Sequence, residues 1–420
     1  MSHSVPSALP QPPTEATGAR RRRCQPRRIA PGSPRPSDLL RAFFAAGLVG
    51  IAAAAVAGAL FALSGGDSLH WLALHLLFVG GVSQLVLGAA QFFTCAFLAT
   101  DPPPRNLVVA QLAVWNAGTV LVAVGVPTAT SGMVELGACL IAVGLALFAW
   151  ALARMSRRSL QRAPWALRWY QASAASLGAG ALVGVLMATG VPWADGSLLG
   201  AHLAFNLAGW LGTAIVGTLH TFFPSLTQTQ LPRPRLQSPT YGLWLAGVVL
   251  LASGLAFAVP ALSDLGWGSL TAAAVLMGVS LALCLRRAAT PVALPAQLIA
   301  VGHVCLLAGL VLALVMSLAH GPVAPFAGRP RAVLATLLLA GWIGLTVTGS
   351  LLHLLAILGR IRNFARPLPA AAPGRDRALG AVAACAVTGL SLARAIDAPG
   401  LGIAAAALTL AAGALLRTAR

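Results

Sequence analysis
Histidines are the residues of this chain best able to bind a metal or pass a proton, and their most regular array lies around residues 202–220. His202 is followed at offsets of 4, 7, 11 and 18 by Asn206, Gly209, Thr213 and His220. Those offsets approximate whole turns of a 3.6-residue helix, so the five residues form a polar seam on one helical face. His202 and His220 stand about 27 Å apart at 1.5 Å per residue. They cannot share an ion, and they mark two levels. One level gathers His75 and His202, with His70, His320, Arg329, Arg331 and Arg394 near the same surface. The other holds His220, His353 and His303. Neutral imidazole is a common ligand of heme iron and copper, and neighbouring arginines suit heme propionates. Each level is a candidate metal site, with His75 and His202 the leading pair. For any single histidine the simpler reading is a hydrogen-bonded packing residue.

Helices that cross a bilayer must position these residues. Of 420 residues, 58% are hydrophobic and only 9% charged, against about a quarter charged in soluble domains, and the mean hydropathy is +0.83. A water-soluble domain is excluded. Six scattered cysteines without a CxxC pair exclude a disulfide framework, and Walker, dinucleotide-binding and HExxH motifs are absent. Twelve apolar runs of about 20 residues, enough to span hydrocarbon, are expected near 39–63, 70–98, 106–126, 131–155, 168–191, 198–224, 239–259, 264–286, 293–318, 331–358, 377–395 and 400–417. Residues 1–37, rich in Pro, Ser and Arg, read as a disordered basic cytoplasmic tail, and the apolar run after them is too long for a signal peptide.

The same elements recur. Gly80 and Gly88 reappear as Gly209 and Gly217 (209 − 80 and 217 − 88 are both 129), then as Gly341 and Gly349, both a further 132 residues on. Ala208-Gly209-Trp210-Leu211-Gly212 matches Ala340-Gly341-Trp342-Ile343-Gly344. Small residues let membrane helices approach closely. The expected fold is therefore an all-α integral membrane protein of twelve transmembrane helices. Three four-helix units, about 39–155, 168–286 and 293–417, form a pseudo-threefold repeat. Spans 2, 6 and 10 are expected to build an inner ring that meets through the faces of Gly80, Gly209 and Gly341. Shifted by 129, His75 falls two positions past His202, a turn of about 200°, so the two rings are expected to serve neighbouring cavities.

With its twelve spans, three units and His-bearing spans 2, 6 and 10, the chain resembles the heme-copper oxidase subunit I superfamily. The segment Ala201-His202-Leu203-Ala204-Phe205-Asn206-Leu207-Ala208-Gly209, continuing through Gly217 to Pro224, looks like that superfamily's helix opening with histidine ligands. The likeness extends to NnrS-like heme- and copper-containing membrane proteins and to membrane modules of bacterial copper oxidase-like proteins. It implies heme and/or copper as cofactor, with His75 as a low-spin heme ligand and His202 facing the central cavity. Asn206 lies one turn deeper, and Arg394 lies where propionates are held. It further implies a place in the bacterial inner membrane and a redox partner or copper protein. Span 10 departs from the pattern with Leu334 and Thr336, and span 7, around Tyr241 and Trp244, has no His pair. A complete oxygen-reducing centre cannot be assembled, so dioxygen reduction by this chain alone is not expected.

Two other readings stay open: a transporter or channel whose path the span 6 seam lines, and a non-catalytic assembly or scaffold partner. The seam lacks charge and broken helices, which midplane transport sites usually show. The net charge of +19 comes wholly from arginine, spread over a tail and loops. It reads as topology, not as a nucleic-acid surface. Arg-rich and Arg-poor connections alternate regularly, which places both termini in the cytoplasm. Externally applied thiol reagent is expected to label a cysteine introduced at Ser68 or Asp195 and to miss one at Ser159 or Ser238; the reverse pattern overturns the orientation.

Overall fold
A computed structural model describes residues 35–159, 165–193, 196–288, 291–362 and 372–398. Among these residues every regular element is helical, and eleven helices are long and apolar enough to cross a membrane. They are α1 (Pro36–Ser64), α2 (Asp67–Leu98), α3 (Arg105–Gly125), α4 (Ser131–Arg158), α5 (Trp165–Ala188), α6 (Leu198–Leu226), α7 (Pro234–Ala256), α8 (Pro260–Arg287), α9 (Leu294–His320), α10 (Gly328–Arg360) and α11 (Pro373–Ala395). Each coincides with one expected span. The twelfth, 400–417, and the basic tail to residue 34 lie outside the described residues. Several helices begin a few residues before their apolar runs. Proline at the first helical position, as at Pro36, Pro260 and Pro373, lacks an N–H that would be unpaired there anyway.

Helices α2, α6 and α10 each change geometry partway along. Leu76–Val82, Ala204–Gly212 and Thr336–Gly344 form π-helical turns. Such wide turns leave backbone groups open to outside partners, and a bilayer supplies none. Trp115 of α3 donates its indole N–H to the Val79 carbonyl at 3.1 Å. Trp244 of α7 donates to the Ala208 carbonyl at 3.0 Å. Donors and acceptors alike are 129 residues apart (244 − 115 and 208 − 79). The interval recurs between neighbouring helices: Gly118 packs on Gly137 and Ile141, and Gly247 packs on Gly266 and Leu270.

The same three helices surround a narrow cavity lined by Val82, Leu85 and Phe93 of α2, Ile215 and Leu219 of α6, and Leu351 of α10. Trp210 of α6 donates to the Ser83 hydroxyl of α2 at 2.8 Å, and Phe222 of α6 meets Phe93 of α2 and His353 of α10, both at 5.5 Å. The repeated glycines do not face this cavity, contrary to expectation. Gly80 lies between α1 (Gly50) and α3 (Thr119), Gly209 between α5 (Ser176) and α7 (Val248), and Gly341 between α9 (Cys305) and α11 (Val387). The reason is steric. Around the axis three helices need bulky side chains to fill the gap, whereas a helix wedged between two neighbours needs a bare backbone.

A methyl group at Gly217 would lie 2.3 Å from Trp169 Cβ, and one at Gly268 would meet nothing within 4 Å. Overpacking costs about 1–3 kcal/mol, and alanine in an open helical position gains about 1 kcal/mol over glycine. Gly217→Ala should therefore lower the thermal midpoint in detergent, and Gly268→Ala should leave it unchanged or raise it.

Candidate functional site
The two histidines singled out by their position on α2 and α6 come together. Their ring centroids are 6.4 Å apart with an interplanar angle of 29°, so they share one location and do not turn to separate cavities. The two-residue offset accounts for this. Helices α2 and α6 are adjacent, and facing a common boundary from opposite sides requires different rotations about their own axes. Both rings are half-buried.

Each ring is anchored through the same nitrogen. His75 Nδ1 lies 2.9 Å from the Trp71 carbonyl one turn earlier, and His202 Nδ1 lies 2.9 Å from the Gly180 carbonyl of α5. A carbonyl only accepts, so Nδ1 carries the proton in both rings. Nε2 keeps its lone pair and has no hydrogen-bond partner among the described residues. This is the tautomer that ligates metals, its orientation fixed by the hydrogen bond at the other nitrogen. Trp71 also stacks on His75 with centroids 3.9 Å apart. The spacing Trp71-x-x-x-His75 was visible in the sequence as a one-turn pair, and it adds a flat apolar support that the histidines alone did not suggest.

His202 sits in a notch cut into α5. Were alanine present at Gly184, its methyl would fall 2.9 Å from His202 Cε1, and at Gly180 it would fall 2.3 Å from the Asn206 amide nitrogen. Asn206 donates to the His202 carbonyl at 2.8 Å. Its amide nitrogen also lies 3.3 Å from His202 Nδ1, but both atoms are donors, so that approach is a contact and not a bond. Two further seam positions meet α5: Gly209 lies against Ser176, and His220 stacks on Trp169 at 5.6 Å. Four seam residues, His202, Asn206, Gly209 and His220, therefore pack against α5.

The other candidates are dispersed. His220 Nδ1 bonds to the Val216 carbonyl at 2.8 Å, and its Nε2 is buried without a partner. His303 has the opposite arrangement, with Nε2 2.9 Å from the Ala274 carbonyl of α8 and Nδ1 unpartnered. His353 packs on Phe222. Arg394 is exposed at the end of α11, which packs on α9 and α10, and it is not drawn to the histidine pair. Among the described residues no three His, Cys, Asp or Glu side chains gather as a metal site.

Two protein ligands suit a group that brings its other ligands with it. Ring centroids 6.4 Å apart are within the reach of two imidazoles that would share one ion at metal–nitrogen bonds of about 2 Å. No residue of Asp67–His75 is buried, whereas eleven of the sixteen residues Ser83–Leu98 are. His75 and His202 would be the residues to hold such a group, and among the described residues they are not part of a cluster of three or more His, Cys, Asp or Glu side chains. No family model matches the chain, and no curated protein matches it.

The α5 notch makes its own prediction. Gly180→Ala should destabilise the protein by about 1–3 kcal/mol through its clash with Asn206, and adding Asn206→Ala should recover part of that loss. Thermal denaturation of the two single variants and the double variant measures the coupling; independent, additive losses would contradict the packing described.

Proposed function
We propose that this protein binds heme or copper in the bacterial inner membrane and serves redox or stress chemistry on a heme-copper oxidase-like fold, without a complete oxygen-reducing centre. The observation that carries the proposal is the His75 and His202 pair, each ring anchored at Nδ1 and free at Nε2. Heme is favoured over copper, because a porphyrin would bring four ligands of its own and would ask only two, His75 and His202, of the protein. When bound, heme would supply one-electron chemistry. The chain's own contribution is to hold two neutral imidazoles at a fixed spacing beside Trp71, in a half-buried setting that limits water.

The architecture proposed for it is twelve spans in three four-helix units with both termini cytoplasmic. The recurrence of π turns in α2, α6 and α10, and of the Trp115 and Trp244 hydrogen bonds, supports that reading. So does the cavity shared by α2, α6 and α10. A redox partner or copper protein would exchange electrons with it at the membrane surface. Leu334 and Thr336 on α10, and Tyr241 and Trp244 on α7, supply none of the histidines an oxygen-reducing centre requires. The transporter reading loses its main support because the span 6 seam is packed against α5.

The test is an optical spectrum and metal analysis of protein expressed with heme and copper supplied. A Soret band or bound copper is expected in the wild type, with loss in His202→Ala while the protein still inserts. Wild-type protein containing neither cofactor overturns the proposal and favours a scaffold.

A further inference from the structure
The arginines separate strongly between the two ends of the bundle. One end carries fourteen arginines whose side chains are described against three aspartates, and the other carries three arginines against four carboxylates. At the arginine-rich end, two guanidinium groups lie over indole rings: Arg154 over Trp150 of α4 at 5.2 Å and Arg168 over Trp165 of α5 at 4.6 Å. Arg154 is the unusual one. It enters α4 a full turn before the exposed Arg157 and Arg158, it is half-buried, and its Nε is buried with no hydrogen-bond partner. It makes no ion pair among the described residues.

A half-buried charge at the edge of hydrocarbon is costly unless an anion meets it. Stacking on a ring leaves the N–H edge of guanidinium free, and that edge matches two oxygens of a phosphate group. Trp150 is 48% exposed on an apolar helix that faces lipid, so the anion must come from the bilayer side. We infer that Arg154, held on Trp150, binds the phosphate of an anionic phospholipid headgroup and makes this end of α4 a selective lipid site. Free phosphate offers the same oxygens but no acyl chains to lie along Trp150 and the outer face of α4, so the lipid is the occupant. The inference does not depend on the histidine pair.

Native mass spectrometry of the full chain, delipidated and then titrated with phosphatidylglycerol or phosphatidylcholine, tests it. The wild type should retain phosphatidylglycerol preferentially. Arg154→Gln should weaken that retention about fivefold, the effect of one basic residue near a membrane surface, and Arg157→Gln should change it less. Arg154→Lys keeps the charge but not the paired donors and should fall between wild type and Arg154→Gln. Should Arg154→Gln fail to fold, the wild type's preference for phosphatidylglycerol over phosphatidylcholine, and its resistance to competition by inorganic phosphate, still decide the matter. Equal retention of the two lipids, retention unchanged in Arg154→Gln, or displacement by inorganic phosphate alone would overturn the proposal.

Discussion
Inside hydrocarbon each backbone group must find its partner within the protein, and that constraint explains where this bundle is tight and where it is open. Helices α2, α6 and α10 are wedged between neighbours at Gly80, Gly209 and Gly341, where side chains would prevent contact. Each of those glycines lies within a π turn, where the helix widens. In α2 and α6 a tryptophan from the following helix donates to a carbonyl of that turn, at Val79 and Ala208. In α2 and α6 the wedge and the tryptophan together fix the rotation of the helix. Rotation decides which residues face the axis, and so it decides where His75 and His202 meet.

The pair depends on that rotation in two ways. It needs α2 and α6 adjacent, which the Trp210 to Ser83 hydrogen bond and the Phe93 to Phe222 contact secure deeper in the bundle. It also needs each imidazole held in one tautomer, which the carbonyls of Trp71 and Gly180 achieve without any charged partner. In a medium where an unpaired charge is expensive, a neutral anchor of this kind is the cheaper way to orient a ligand. The rings sit in the loosely packed stretch Asp67–His75, beside the densely packed Ser83–Leu98.

Much of this was legible in the sequence. Apolar run lengths located the eleven described helices, and some contacts recur at the 129-residue interval that separates the glycines of α2 and α6. His75 and His202 stood out by residue type and depth. Direction was not legible. The sequence pattern could not say whether Gly80 faces the axis or the flanking helices, because both uses favour a small residue. Nor could it place Gly180 and Gly184 beside Asn206 and His202, since that contact joins two helices whose relative rotation is set elsewhere. Trp115 and Trp244 carried the same 129-residue interval as the glycines and were overlooked, because a tryptophan in a membrane helix has many ordinary uses.

The central proposal is that His75 and His202 together would hold one heme iron. Electron paramagnetic resonance of the oxidised, heme-supplied protein addresses it directly. Two histidines on one ferric heme give a low-spin signal, and the account predicts that signal in the wild type, replaced by a high-spin signal when His75 is changed to Ala. A wild-type spectrum that is high-spin only, or a low-spin signal that survives the loss of His75, would show that the pair does not hold a common iron.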